Sequence, residues 1–141
     1  MDRGTILRVW LPLLGGLCAI YAIFVLGPGP HDATRWLGLA LCLVGLSGVI
    51  VARVTLGRSF SVRAKATELV TAGLYSRIRN PIYISGVIVL MGVILTVRRP
   101  VLALLLVVIV PTQMIRARRE AAVLEAKFGD AYREYRKRTW F

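Results

Sequence analysis

Trp36-Leu37-Gly38-Leu39-Ala40-Leu41-Cys42-Leu43-Val44-Gly45-Leu46-Ser47-Gly48-Val49-Ile50-Val51-Ala52 carries no charge over its whole length. As a helix, such a run is about long enough to span the hydrocarbon core of a bilayer. Gly38, Gly45, Ser47 and Gly48 offer small surfaces for close packing, the device helices use where no water drives them together. Arg53 can snorkel to the interface, so the run extends to Leu56.

Three more apolar runs flank it. Upstream lies Val9–Leu26, with Pro12 near its start, where a missing N–H is tolerated. It stops at Gly27-Pro28-Gly29-Pro30-His31-Asp32, a strong loop signal. It is longer than a signal-peptide core and no small-x-small cleavage site closes it, which predicts a retained anchor. Downstream, Ile82–Val97 and Val101–Ile115 are separated only by Arg98-Arg99-Pro100. Each rises roughly 24 Å against a core of ~30 Å, which predicts a short hairpin. Whether it spans a thinned bilayer or stops short of the far side is open at this level. Pro111 is expected to kink the last run. From Thr112 the chain turns charged, with Ile115, Val123, Leu124, Phe128 and Tyr132 kept at helical spacing. That pattern predicts the last helix running out as an amphipathic interfacial helix, broken at Gly129.

Composition agrees. The chain is 57% apolar and 18% charged, whereas soluble domains are roughly 45–50% apolar and about 25% charged. Too little polar surface remains to cover an ordinary soluble enzyme of 141 residues. The net charge of +12 sits between the apolar runs rather than on one solvated face. It therefore argues for positive-inside topology over nucleic-acid binding. With four crossings, the N-terminus, the Gly57–Asn80 insert and the tail share one side. That side holds all of the 19 Lys and Arg residues except Arg35, Arg98 and Arg99, which predicts a cytoplasmic insert and tail. Cys18 and Cys42 each lie alone in an apolar run, as buried small hydrophobes do, and His31 is the only histidine. No metal site is expected. The predicted architecture is one all-α integral membrane domain over residues 1–141. Its membrane helices are 9–26, 36–56, 82–97 and 101–115, and its cytoplasmic elements are 57–80 and 116–141.

Nucleotide-cradling glycine loops and Ser-His-Asp or Cys-His sets are absent. Two polar clusters remain, both predicted on the cytoplasmic face. In the first, Asn80-Pro81 opens an apolar helix, where asparagine caps and proline fits the first position. With Tyr75, Arg77, Arg79 and Tyr83 around it, the same helix start is also an anion site. The second cluster is Arg116 and Glu120, four residues apart on one helical face. Read structurally they are an ion pair worth a few tenths of a kcal/mol. Read functionally, each grips a group of opposite charge on a different ligand.

The ordered set resembles the isoprenylcysteine carboxyl methyltransferase family, part of a wider group that includes membrane phospholipid methyltransferases. The resemblance rests on Leu69-Val70-Thr71-Ala72-Gly73-Leu74-Tyr75, Arg79-Asn80-Pro81-Ile82-Tyr83, Arg116 with Glu120, and Phe128-Gly129-Asp130-Ala131-Tyr132-Arg133-Glu134-Tyr135. Leu56-Gly57-Arg58-Ser59-Phe60 looks like the family's entry to the insert, and the match runs roughly from Trp36 to Trp140. The chain departs from the pattern at Asn80, usually histidine, and at Ala121, often a second glutamate.

The resemblance implies S-adenosylmethionine bound on the cytoplasmic side without a Rossmann domain, and so compact a chain is expected in a prokaryotic cell membrane. It assigns cofactor contacts to Thr67, Glu68, Leu69, Val70, Tyr75, Asn80, Pro81, Ile82, Tyr83 and Glu120, and acceptor contact to Arg116. The acceptor most like the family's is the carboxylate of an isoprenylated cysteine, entering sideways from the bilayer among membrane lipids. Two alternatives stand beside it: methylation of a phospholipid amine, which requires a base, and a non-catalytic membrane scaffold.

Overall fold

The computed structural model describes residues 3–27, 29–56 and 69–141, with the side chains of the first helix from Leu14 onward. Five α-helices follow one another: α1 (Arg3–Leu26), α2 (Ala33–Leu56), α3 (Pro81–Val97), α4 (Leu104–Phe128) and α5 (Asp130–Arg138). No strand forms among the described residues, and the only ladder contact is a single parallel bridge between Ile78 and Trp140. Two helical stretches are long and apolar enough to cross a membrane, Ala33–Leu56 and Pro100–Phe128. Leu14–Leu26 and Pro81–Val97 are shorter apolar helices.

The centre of the fold is the antiparallel contact of α2 with α3, far more extensive than any other helix pair. It is built on glycine. A Cβ added at Gly45 would stand 2.8 Å from the Ser85 carbonyl oxygen, and one at Gly92 2.6 Å from the Cys42 nitrogen. Both distances are below van der Waals contact, so the backbones approach as only small residues permit. Gly38 meets Thr96 and Gly48 meets Ser85 in the same way. Ser47 does not join them. It is exposed and returns its hydroxyl to the Leu43 carbonyl at 2.7 Å, a bond within its own helix. Cys42 is buried in this seam as expected, whereas Cys18 is exposed on α1, which packs against α2 and α3 only sparsely.

At one end of the bundle α1 stops at Gly27, leaving helix-terminal carbonyls without intrahelical partners. Arg35 supplies them. Its guanidinium, fully buried, donates to the carbonyls of Ile23 (3.1 Å), Phe24 (2.5 Å), Gly27 (2.9 Å) and Gly29 (2.9 Å). The sequence assigns Arg35 to this end, but as a cap it is a structural tie between α1 and α2. Asp32 caps α2 by accepting from Arg35 N–H at 3.2 Å and pairs with Arg98 at 2.8 Å, closing the same end against α3.

The last apolar run continues into the charged segment as one helix, as the spacing beyond Thr112 predicts. After the left-handed residue Arg98 and a 3-10 turn over Pro100–Ala103, α4 continues through Pro111 to Phe128. The apolar run is thus the first half of one helix, because Arg116–Lys127 is rich in alanine, arginine, glutamate and leucine, all strong helix formers. Gly129, at φ 52°, makes the break before α5, where the sequence places it.

Candidate active site

At the other end of the bundle the tail folds back onto the loop ahead of α3. Trp140 N–H donates to the Arg77 carbonyl at 3.0 Å, and the Phe141 carbonyl accepts from Arg79 N–H (3.0 Å) and Asn80 N–H (3.1 Å). Tyr135, on α5, donates its hydroxyl to the Tyr75 carbonyl at 2.7 Å. Tyr132 is 2% exposed beneath this junction. The Phe-Gly-x-x-Tyr-x-x-Tyr segment is therefore what clamps the tail to the 3-10 turn Gly73–Ser76 that carries Tyr75.

Asn80 and Pro81 occupy the N-cap and first positions of α3. The expected side-chain cap is not made. Asn80 adopts φ −124° and ψ 57°, outside the extended region from which a cap side chain reaches the next turn. The backbone donors offered to an anion here, those of Arg79 and Asn80, are taken by the tail.

The second cluster is also rearranged. Arg116 and Glu120 form no ion pair. Glu120 instead accepts a hydrogen bond from the Tyr83 hydroxyl at 2.5 Å, across from α3 to α4. That short distance is typical of a hydroxyl donating to an ionised carboxylate. The charge of Arg116 lies close to the same hydroxyl, and Arg116 is exposed. Tyr75 is buried near the pair: burial first, then Tyr135, Glu120 and Tyr83, drives its hydroxyl well above the ordinary tyrosine range.

The structure thus draws Tyr75, Tyr83, Glu120 and Arg116 into one neighbourhood, with Asn80, Pro81 and Ile82 on the turn that leads into it. Leu69 and Val70 are half-buried at the start of the loop, and among the described residues no hydrogen bond ties them to Glu120. Thr67 and Glu68, together with Gly57, Arg58, Arg63 and Lys65 of the insert, lie outside the described residues.

Below Tyr83 runs an apolar groove of about 220 Å³ between α3 and α4. Tyr83, Ile84, Val87 and Ile88 form one wall. Val110, Gln113 and Met114 form the other, and Phe141 sits at the tail end. Neither Gln113 nor Phe141 stands out in the sequence, Gln113 lying beside Thr112 where the chain turns polar.

A family model described as phospholipid methyltransferase matches residues 33–131, from the start of α2 to the first turn of α5. The matched stretch contains the α2–α3 seam, the loop bearing Tyr75, the Tyr83–Glu120 bond and the apolar groove apart from Phe141. α1 lies outside it. No curated protein and no solved structure matches the chain.

Proposed function

The chain belongs to the phospholipid methyltransferase family, and from that premise we propose that it moves a methyl group from S-adenosylmethionine to a lipophilic acceptor, the carboxylate of an isoprenylated cysteine. The single observation that supports this most is the Tyr83–Glu120 hydrogen bond at the head of an apolar groove, with the cation of Arg116 beside it.

The residues present fit the cofactor by their chemistry. Glu120 Oε1 is held by Tyr83, which fixes the carboxylate as a counter-charge for the cofactor's ammonium. The side chains of Arg77 and Arg79 offer positive charge to its carboxylate. Tyr75, Ile82 and Tyr83 provide aromatic and apolar surface, with Thr67, Glu68, Leu69, Val70, Asn80 and Pro81 completing the assignment. When bound, S-adenosylmethionine supplies an electrophilic methyl on a sulfonium.

On the acceptor side, Arg116 holds and orients the carboxylate. With a reference pKa near 3.5, an α-carboxyl is ionised at neutral pH and asks no residue to remove a proton. The chain's contribution is then alignment and exclusion of water, the groove burying the hydrocarbon chain and Arg116 fixing the head. A phospholipid amine is the second reading, favoured by the family's description. It needs a base, and among the described residues Glu120 is the carboxylate at hand, already engaged by Tyr83.

We place the site on the cytoplasmic face of a protein whose four long helices all cross the bilayer. Arg98 and Asp32 meet at one end and Arg79 meets the tail at the other, which supports the charge asymmetry read from sequence. Impermeant labelling of single cysteines at Lys127 and Arg99 tests this, with labelling from opposite sides expected and same-side labelling contradicting it. The functional reading is tested by giving the purified protein methyl-labelled S-adenosylmethionine with an S-farnesyl-cysteine analogue and phosphatidylethanolamine in competition. A base-labile methyl ester on the cysteine analogue is expected. Label on the amine reverses the order of the two readings, and label on neither contradicts both.

A further inference from the structure

α4 belongs to the stretch Pro100–Phe128, long and apolar enough to cross a membrane. Val110, Gln113 and Met114 turn one side of it to the groove. On the opposite side Leu104, Val108 and Ile115 recur at helical spacing, and all three are exposed. Thr112, on the same side, returns its hydroxyl to the Val108 carbonyl at 2.7 Å and so is satisfied within the helix.

This apolar stripe ends in charge. Arg119 continues it one turn beyond Ile115 with Arg118 beside it, and both are exposed. Among the described residues neither has an ion pair or a side-chain hydrogen bond. The carboxylates farther along α4 are engaged elsewhere, Glu120 by Tyr83 and Glu125 by Arg133. Arg119 lies roughly 17 Å from Val108 along the helix axis, about half of a ~30 Å hydrocarbon core. A lipid with an acyl chain along Val108 and Ile115 thus carries its phosphate to the level of the arginines.

Two features select the occupant. A second copy packed on this stripe about a two-fold axis along the membrane normal sets Arg118 and Arg119 against their own counterparts. The stripe also offers large side chains, not the small residues through which membrane helices pair closely. A zwitterionic head brings its own cation toward the two guanidiniums, whereas an anionic head brings net negative charge and a phosphate that accepts their fork of donors.

We propose that Arg118 and Arg119, with the apolar stripe of Leu104, Val108 and Ile115, form a surface site for an anionic phospholipid. The site uses neither Arg116 nor the groove, so it stands apart from the methyl-transfer reading.

The test places full-length protein in nanodiscs of phosphatidylglycerol and phosphatidylcholine in equal parts, with identical acyl chains. Native mass spectrometry then counts the lipids retained on release into detergent. Wild type is expected to retain phosphatidylglycerol over phosphatidylcholine by roughly fivefold or more. Arg118→Gln combined with Arg119→Gln is expected to bring that ratio to within about twofold of parity. Arg99→Gln combined with Arg136→Gln removes the same charge from exposed positions elsewhere and is expected to keep the preference. Thermal unfolding in detergent checks that both variants remain folded. Equal loss of preference in the two double variants would assign the attraction to net charge and overturn the proposal. A wild type without preference, or a lipid-free dimer that covers this face of α4, overturns it as well.

Discussion

The Tyr83 hydroxyl donates to Glu120 Oε1 at 2.5 Å, joining α3 to α4 where the two helices otherwise meet little. The bond does two things. It ties a long, mostly exposed helix to the α2–α3 seam, and it holds a carboxylate in a fixed orientation near the loop that carries Tyr75. Hydrogen bonds to charged groups contribute about 1.5–3 kcal/mol. Tyr83→Phe is therefore expected to lower stability by about that amount and to weaken S-adenosylmethionine binding severalfold, because Glu120 loses its orientation but keeps its charge. Titration calorimetry and thermal unfolding of the variant in detergent check both effects. Unchanged affinity would remove Tyr83 from the site.

Arg116 pairs with neither Tyr83 nor Glu120, and its separate role is testable. Arg116→Ala is expected to leave cofactor affinity within about twofold while reducing kcat/KM for the acceptor by roughly tenfold to a hundredfold, the range for losing a charge-assisted contact. Steady-state kinetics at saturating S-adenosylmethionine resolve it. A loss of cofactor affinity equal to the loss of rate would assign Arg116 to the cofactor instead.

Asn80 makes no side-chain cap, so Asn80→Ala is expected to change stability by less than about 0.5 kcal/mol, below the ~1 kcal/mol typical of a lost cap. Asn80→His, restoring the family's usual residue, is expected to leave the rate within about tenfold. It should introduce no steep rate change between about pH 6 and 8, where histidine titrates. A new pH dependence with a large rate gain would indicate an acceptor that must lose a proton and would favour the amine.

The glycine seam makes a sharp contrast between two positions. Gly92→Ala places a methyl 2.6 Å from Cys42 N and is expected to destabilise by about 1–3 kcal/mol. Gly16→Ala meets nothing within 4 Å and is expected to be neutral or slightly stabilising, since alanine is the better helix former. Equal effects on thermal unfolding would contradict the packing described.

Tail docking carries a pH dependence at the alkaline end. Burial, then the neighbouring Tyr132, with Arg79 acting the other way, pushes the Tyr135 hydroxyl up to about 12. Tyr75 is raised further. Undocked, each would ionise near the ordinary tyrosine value of about 10. The docked state thus keeps protons that the undocked state gives up, and stability falls as pH rises. The contribution is complete below about pH 10 and is lost as pH passes through about 12. Tyrosinate absorbance and helix content followed together should show several late-ionising tyrosines, with one fewer in Tyr135→Phe. Ionisation of all tyrosines near pH 10 would contradict the docking.

What could be read from the sequence follows from what local pattern encodes. The apolar runs and the glycines at 38, 45 and 48 are visible because span length and small-residue spacing are properties of one segment. The break at Gly129 is visible for the same reason. Spacing also shows that Arg116 and Glu120 share a face, but not which partner the facing helix offers, and Tyr83 takes the place of the ion pair. The sequence places Arg35 at the far end but not its partners, the open carbonyls that α1 presents to it. Asn80 reads as a cap until the tail claims the backbone beside it. Ordered motifs brought the site together more reliably than charge pairing did, since Glu120 converges with Tyr75, Asn80 and Tyr83 from a helix far along the chain.

The central claim is that Glu120, held by Tyr83, is the counter-charge of a cofactor site. Its most direct test is calorimetric titration of the purified full-length protein and of Glu120→Gln with S-adenosylmethionine. Saturable one-site binding by the wild type, weakened roughly tenfold to a hundredfold in Glu120→Gln with folding intact, is the expected result. Absence of saturable binding, or equal affinity in the two proteins, would contradict it.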